Sequence, residues 1–182
     1  EYTEQTSLLL KELCDSAFDE DEFATILGGP DVGASFTQQK FDHLLYTGSG
    51  AVAKHIMKAA AENLVPVTLE LGGKSPVIVS NTADSAIAAK RIMLGKTMNA
   101  GQICLAPDYV MVHSDKKDEL VAGMKEAVED FYTDLKHNDD YKSIINEKHY
   151  DRLQGLLSDA KEKGAEIDEI NPANEDFSQQ EA

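Results

Sequence analysis

The run from Val65 to Leu71 is apolar almost without interruption and ends on the pair Gly72-Gly73. So short and continuous a run, bounded by glycines, predicts a strand buried on both faces of a parallel sheet. Parallel strands need crossover connections, usually helices, so this segment directs the chain towards an α/β architecture. Its one exception is Glu70. A carboxylate in such a strand is costly unless it is paired, solvated through a cleft, or used chemically. Two readings stand. One is a buried salt bridge, with Lys74 as partner. The other is a general base, whose partial desolvation raises its pKa and suits it to take a proton from water.

Around this strand the pattern alternates between helix and strand. Residues 3–16 read as a helix with Leu8, Leu9, Leu10 and Leu13 on one side and Thr3 or Thr6 as its cap. Cys14, near its end, reads as a small buried thiol. Residues 23–27 are expected to be a strand ending at Gly28-Gly29-Pro30, and 31–39 a short helix. His43 to Tyr46 is the next strand, and 51–63 an alanine-rich helix. Residues 75–79 and 108–113 are strands. Between them a helix starts at Asn81-Thr82-Ala83-Asp84, with Ala86, Ala89 and Met93, flanked by Ile87 and Leu94, as its core face. Residues 115–134 and 146–164 read as amphipathic helices with acidic, solvated faces. Residues 165–170 are expected to be a strand and 171–182 a loop.

Two places carry chemistry. A strand, the turn Thr47-Gly48-Ser49-Gly50 and a helix start make an anion site, because free backbone N–H groups and the positive helix end face the same point. The turn lacks the lysine of a P-loop and the spacing of a dinucleotide fingerprint, so by itself it is a weak signal. Gly101-Gln102-Ile103-Cys104 breaks the helical pattern before it. A cysteine behind a glycine turn, close to helix ends, can have a lowered pKa and a reachable thiolate; the plain alternative is an inert buried cysteine. Together Cys104 and Glu70 supply a nucleophile and a base, the minimum for covalent chemistry on a carbonyl.

The strings Glu70-Leu71-Gly72-Gly73-Lys74 and Gly101-Gln102-Ile103-Cys104 resemble the two signatures of the aldehyde dehydrogenase superfamily. Tyr46-Thr47-Gly48-Ser49 and Ala106-Pro107-Asp108-Tyr109 fit it as well. The resemblance implies oxidation of a small-molecule aldehyde with NAD or NADP, Cys104 as nucleophile and Glu70 as base. It implies cofactor contacts at Gly48, Ser49, Leu71 and Gly72. Glu1 is implied at the adenosine ribose, with an ordinary surface acid as the alternative. The chain departs from the common pattern at Gly50 and Ala53, which bears on the phosphate geometry. The implied fold is aldehyde dehydrogenase-like: residues 1–72 end a Rossmann-type cofactor domain, and 73–182 begin an α/β catalytic domain. The chain is therefore expected to be part of a longer enzyme, a homo-oligomer (dimer). Ile144-Ile145-Asn146 and Asn171-Pro172-Ala173-Asn174 are similar to the coniferyl aldehyde branch, which implies an aromatic aldehyde. An acylating relative that uses coenzyme A, or an inert member of the superfamily, are the alternatives; retention of both Glu70 and Cys104 argues against them.

A net charge of −16 argues against a nucleic-acid surface and against docking on anionic membranes. The two cysteines, Cys14 and Cys104, form neither a disulfide framework nor a zinc motif, and no metal site is expected. No apolar run is long enough to span a membrane. A reducing cytoplasm is the expected compartment.

Overall fold

The computed structural model describes residues 1–177. The part of the expected 171–182 loop from 178 onward lies outside the described residues. The chain divides into two compact units, Glu1–Gly72 and the part from Gly73 on.

The first unit holds α1 (Glu4–Ala17), α2 (Pro30–Thr37), β1 (Leu44–Gly48), α3 (Gly50–Glu62) and β2 (Val67–Leu71). β1 and β2 pair in parallel, with Leu44 opposite Val67 and Gly48 opposite Leu71. Alanine-rich α3 connects them, and Ser49 caps it by accepting a hydrogen bond from the Val52 N–H at 3.3 Å. The core is Leu44, Ile56, Ala60 and Val65, packed against Phe41, Tyr46 and Val67.

Three expectations are corrected here. The strand at 65–71 is not buried on both faces. Its burial alternates, and on β1 the outward Leu45 is 66% exposed, because α3 covers only one side of this two-stranded sheet. Residues 23–27 pair with no strand among the described residues; an extended segment is a strand only when a neighbour takes its backbone groups. Cys14 is half-exposed rather than buried, since α1 has no buried residue.

The second unit holds β3 (Ser75–Val79), α4 (Ser85–Thr97), β4 (Pro107–Val112), α5 (Lys117–Phe131) and α6 (Glu147–Glu162). β3 and β4 pair in parallel. Pro76 has no N–H to give the ladder. There the register slips, from Ser75 opposite Pro107 to Pro76 opposite Tyr109, which leaves Asp108 out of register. Asp84 caps α4, its carboxylate accepting from the Ile87 N–H at 3.0 Å. Val79, Ala89, Ile92 and Leu120 make the core. The face of α4 differs from the expected one: Ser85, Ala89, Ile92 and Thr97 are buried, while Ala86, Ile87 and Leu94 are exposed. Apolar side chains lie all round α4, so periodicity does not choose its face. The choice is made by α5, whose Gly123 approaches so closely that a Cβ there would stand 3.1 Å from Ala89.

Residues 165–170 are extended but pair with no strand among the described residues. Side chains hold the segment instead: Glu166 pairs with Lys117 at 3.4 Å, and Asp168 pairs with Lys125. Beyond it, the Glu175 carboxylate accepts from the backbone N–H of Leu135 at 2.6 Å and of Lys136 at 3.1 Å. Asn171 closes the loop by bonding the Glu175 backbone N–H and carbonyl, both at 2.9 Å.

Candidate active site

In the first unit, the parallel register places Thr47 opposite Glu70 and Gly48 opposite Leu71. Gly48, Ser49, Glu70, Leu71 and Gly72 therefore gather at the carboxyl-terminal edge of β1 and β2, where open α/β sheets bind ligands. The N–H groups of Gly50 and Ala51 open α3 and have no partner within the helix. Ser49 accepts from Val52 and keeps its own hydroxyl hydrogen to donate. Nothing lies within 4 Å of the Cβ position of Gly50 or of Gly72. These groups fit a dinucleotide phosphate: donors, a positive helix end and open space. Gly48 has a different reason to be glycine. A Cβ there would stand 2.2 Å from the Tyr46 hydroxyl, so a side chain at this position would have to push the tyrosine ring aside.

The Glu70 side chain is exposed and has no hydrogen-bond or ion-pair partner among the described residues. This corrects both sequence readings of its surroundings. It is not desolvated, and Lys74 is not its partner. Lys74 pairs with Asp108 at 3.1 Å, on the residue that the slip at Pro76 leaves out of register. Glu1 precedes α1, is exposed, and has no partner among the described residues.

In the second unit the approach to Cys104 is built from unusual backbone. Asn99, Ala100 and Gly101 follow one another at φ 50, 52 and 76°. Glycine adopts this left-handed conformation freely and asparagine tolerates it, whereas alanine pays about 1–2 kcal/mol. The Gln102 side chain crosses the turn. Its Nε2 donates to the carbonyls of Asn99 and Ser143, both at 3.0 Å, and its Oε1 accepts from the Ile145 N–H at 2.9 Å. On the other side, Gly73 meets Cys104 so closely that a Cβ would stand 2.7 Å from the Cys104 carbonyl oxygen. Cys104 emerges from this turn exposed, and its backbone N–H has no hydrogen-bond partner among the described residues. A reachable thiol beside a free N–H is equipment for attack on a carbonyl whose oxygen takes negative charge. Sequence reasoning missed Gln102, Ser143, Ile145 and Asp108 as parts of this construction. The Gly-Gln turn was the signal for the first of them, and Asp108 lies in the string Ala106-Pro107-Asp108-Tyr109; Ser143 and Ile145 are remote from Cys104 in sequence.

Among the described residues no group of His, Cys, Asp and Glu could hold a metal ion, and no helix is long and apolar enough to cross a membrane.

Known proteins resemble this chain along nearly all of its length. The chain is 55% identical over 181 residues to a probable coniferyl aldehyde dehydrogenase of Caulobacter vibrioides, covering 100% of this chain and 37% of the relative. It is 57% identical over 177 residues to the coniferyl aldehyde dehydrogenase of Pseudomonas sp. strain HR199, covering 97% and 37%. The chain thus spans little more than a third of the length of these relatives. The structure of Staphylococcus aureus AldH in a substrate-bound state superposes with a TM-score of 0.79 at 42% identity, covering 89% of this chain and 36% of that one. A betaine aldehyde dehydrogenase from Staphylococcus aureus, solved with NAD+, gives 0.68 at 31% identity over 80% and 31%. The aldehyde dehydrogenase family model matches residues 1–174. With both signature strings, the fold and these relatives in agreement, the chain belongs to the aldehyde dehydrogenase family.

Proposed function

We propose that the protein carrying this chain oxidises an aldehyde to the carboxylic acid, with NAD or NADP, through a covalent intermediate on Cys104. The observation that carries the reading is the exposed Cys104 thiol beside its own unpartnered N–H, at the end of a turn pinned on two sides. The deprotonated thiol attacks the aldehyde carbon, a C–S bond forms, and the carbonyl oxygen becomes an oxyanion. The Cys104 N–H donates to that oxygen. NAD or NADP, held at Gly48, Ser49, Leu71 and Gly72, would supply the hydride acceptor that turns the thiohemiacetal on Cys104 into a thioester. Glu70 takes a proton from water, the resulting hydroxide attacks the thioester, and the acid leaves as the thiolate is restored. General-base help of this kind is worth roughly a hundred- to ten-thousand-fold. Glu70 lies on the sheet edge with Gly48, Ser49, Leu71 and Gly72, which are assigned to the cofactor, as is Glu1.

On this reading residues 1–72 belong to the cofactor domain and 73–182 to the catalytic domain of a homo-oligomeric cytoplasmic enzyme. The two curated relatives named for coniferyl aldehyde favour that aromatic aldehyde as substrate. The test is reduced-nicotinamide formation by the whole protein from coniferaldehyde, with and without coenzyme A. Cys104→Ala is expected to abolish it. Glu70→Gln is expected to slow release of acid more than formation of the thioester, so that thioester accumulates. Turnover retained in Cys104→Ala refutes the nucleophile, and signal only with coenzyme A refutes hydrolytic release.

A further inference from the structure

We propose that Gln102 is a positioning residue for the nucleophile, a role that rests on the reading of Cys104 given above. Its primary amide has two N–H donors and one carbonyl oxygen, and each is engaged. The donors reach Asn99 O and Ser143 O, both at 3.0 Å, and the oxygen receives the Ile145 N–H at 2.9 Å. The backbone N–H of Gln102 also donates to Asn99 O at 3.0 Å. One planar group thus ties the start of the left-handed turn to its end, and the whole turn to a segment more than forty positions onward.

That turn needs tying. Asn99, Ala100 and Gly101 all have φ between 50 and 76°, in a region where an alanine does not stay unless its surroundings hold it. Cys104 lies two residues beyond Gln102, so a turn that relaxes re-aims the thiol and the N–H beside it together. The amide chemistry is specific. In a glutamate of the same length, the oxygen facing Ile145 survives. The atom facing the carbonyls of Asn99 and Ser143 becomes an anion opposite two acceptors. Asparagine, one methylene shorter, cannot span the same three partners.

The test uses the whole protein, with aldehyde turnover, iodoacetamide titration of Cys104 and hydrogen exchange at the Ile145 amide. Gln102→Ala and Gln102→Glu are both expected to speed exchange at Ile145 by about tenfold or more. Both are expected to lower kcat by roughly ten- to a hundredfold per titratable Cys104, since a misplacement of about 1 Å costs on that order. KM for the aldehyde is expected to stay within about threefold. Counting activity per titratable thiol removes any loss that comes from unfolded protein. If Gln102→Ala does not fold, Gln102→Glu, which keeps the length and one acceptor, carries the test. Unchanged kcat with faster exchange at Ile145 overturns the positioning role. Unchanged exchange overturns the clamp itself. A Cys104→Ala control that still turns over refutes the nucleophile alone, because the exchange readout does not depend on it.

Discussion

Gly73→Ala puts a methyl group where the backbone of the nucleophile already stands. The new Cβ would lie 2.7 Å from the Cys104 carbonyl oxygen, whereas ordinary contact begins at about 3.4 Å. The neighbour is backbone and cannot swing aside as a side chain would, so the two segments must part by about 0.7 Å. Gly73 does not have the left-handed φ that would itself exclude alanine, so the expected effect is steric. Overpacking of this kind costs about 1–3 kcal/mol in stability. Because the part that moves is the Cys104 main chain, kcat is expected to fall by roughly ten- to a hundredfold, scaled from the cost of a 1 Å misplacement. The assay is steady-state turnover together with a urea unfolding curve for the whole protein. Gly72→Ala is the stability control, because nothing lies within 4 Å of the Gly72 Cβ position. Its unfolding midpoint is expected to stay near that of the parent. Equal midpoints for the two variants, with turnover preserved in Gly73→Ala, would show that the close approach does not constrain the nucleophile.

Other consequences can be checked separately. Glu175→Ala strips the partners from the Leu135 and Lys136 N–H groups and should destabilise the segment by about 1–3 kcal/mol, seen as faster hydrogen exchange at both amides. Gly155 lies exposed inside α6 with nothing within 4 Å of its Cβ position, so Gly155→Ala should stabilise the helix by about 0.5–1 kcal/mol, seen as slower exchange along α6. Burial, and then the neighbouring Tyr132, raise the Tyr141 pKa above the usual 10.0. The raised value favours the neutral phenol in the folded state. Its contribution to stability is complete below pH 10.0 and is lost as the pH rises from there through the folded value. Tyr141→Phe should therefore reduce the loss of stability in that alkaline window, seen by comparing urea unfolding of the two proteins below and above pH 10.0.

Local order alone determined most of the elements. Apolar periodicity and turn residues placed α3, α4, α5 and α6 within a few residues of their observed bounds, and 75–79 is the strand β3. Helix caps and glycine turns act over four or five residues, so a sequence displays them directly. The strings around Glu70 and Cys104 likewise carry the family's signatures within a few residues each. Partnership was a different matter. Residues 23–27 and 165–170 have strand-like composition, yet a strand exists only where another chain segment receives its N–H and C=O groups. Helix α4 could not declare its buried face, because α5 selects it through Gly123 and Ala89. Lys74 pairs with Asp108, which the slip in the ladder at Pro76 leaves out of register. The surroundings of Cys104 came from the same source. Nothing near Gln102 in sequence announces Ser143 or Ile145, and nothing near Gly73 announces the Cys104 carbonyl. The nucleophile's identity was written locally; its restraint is a property of contacts that only the folded chain brings together.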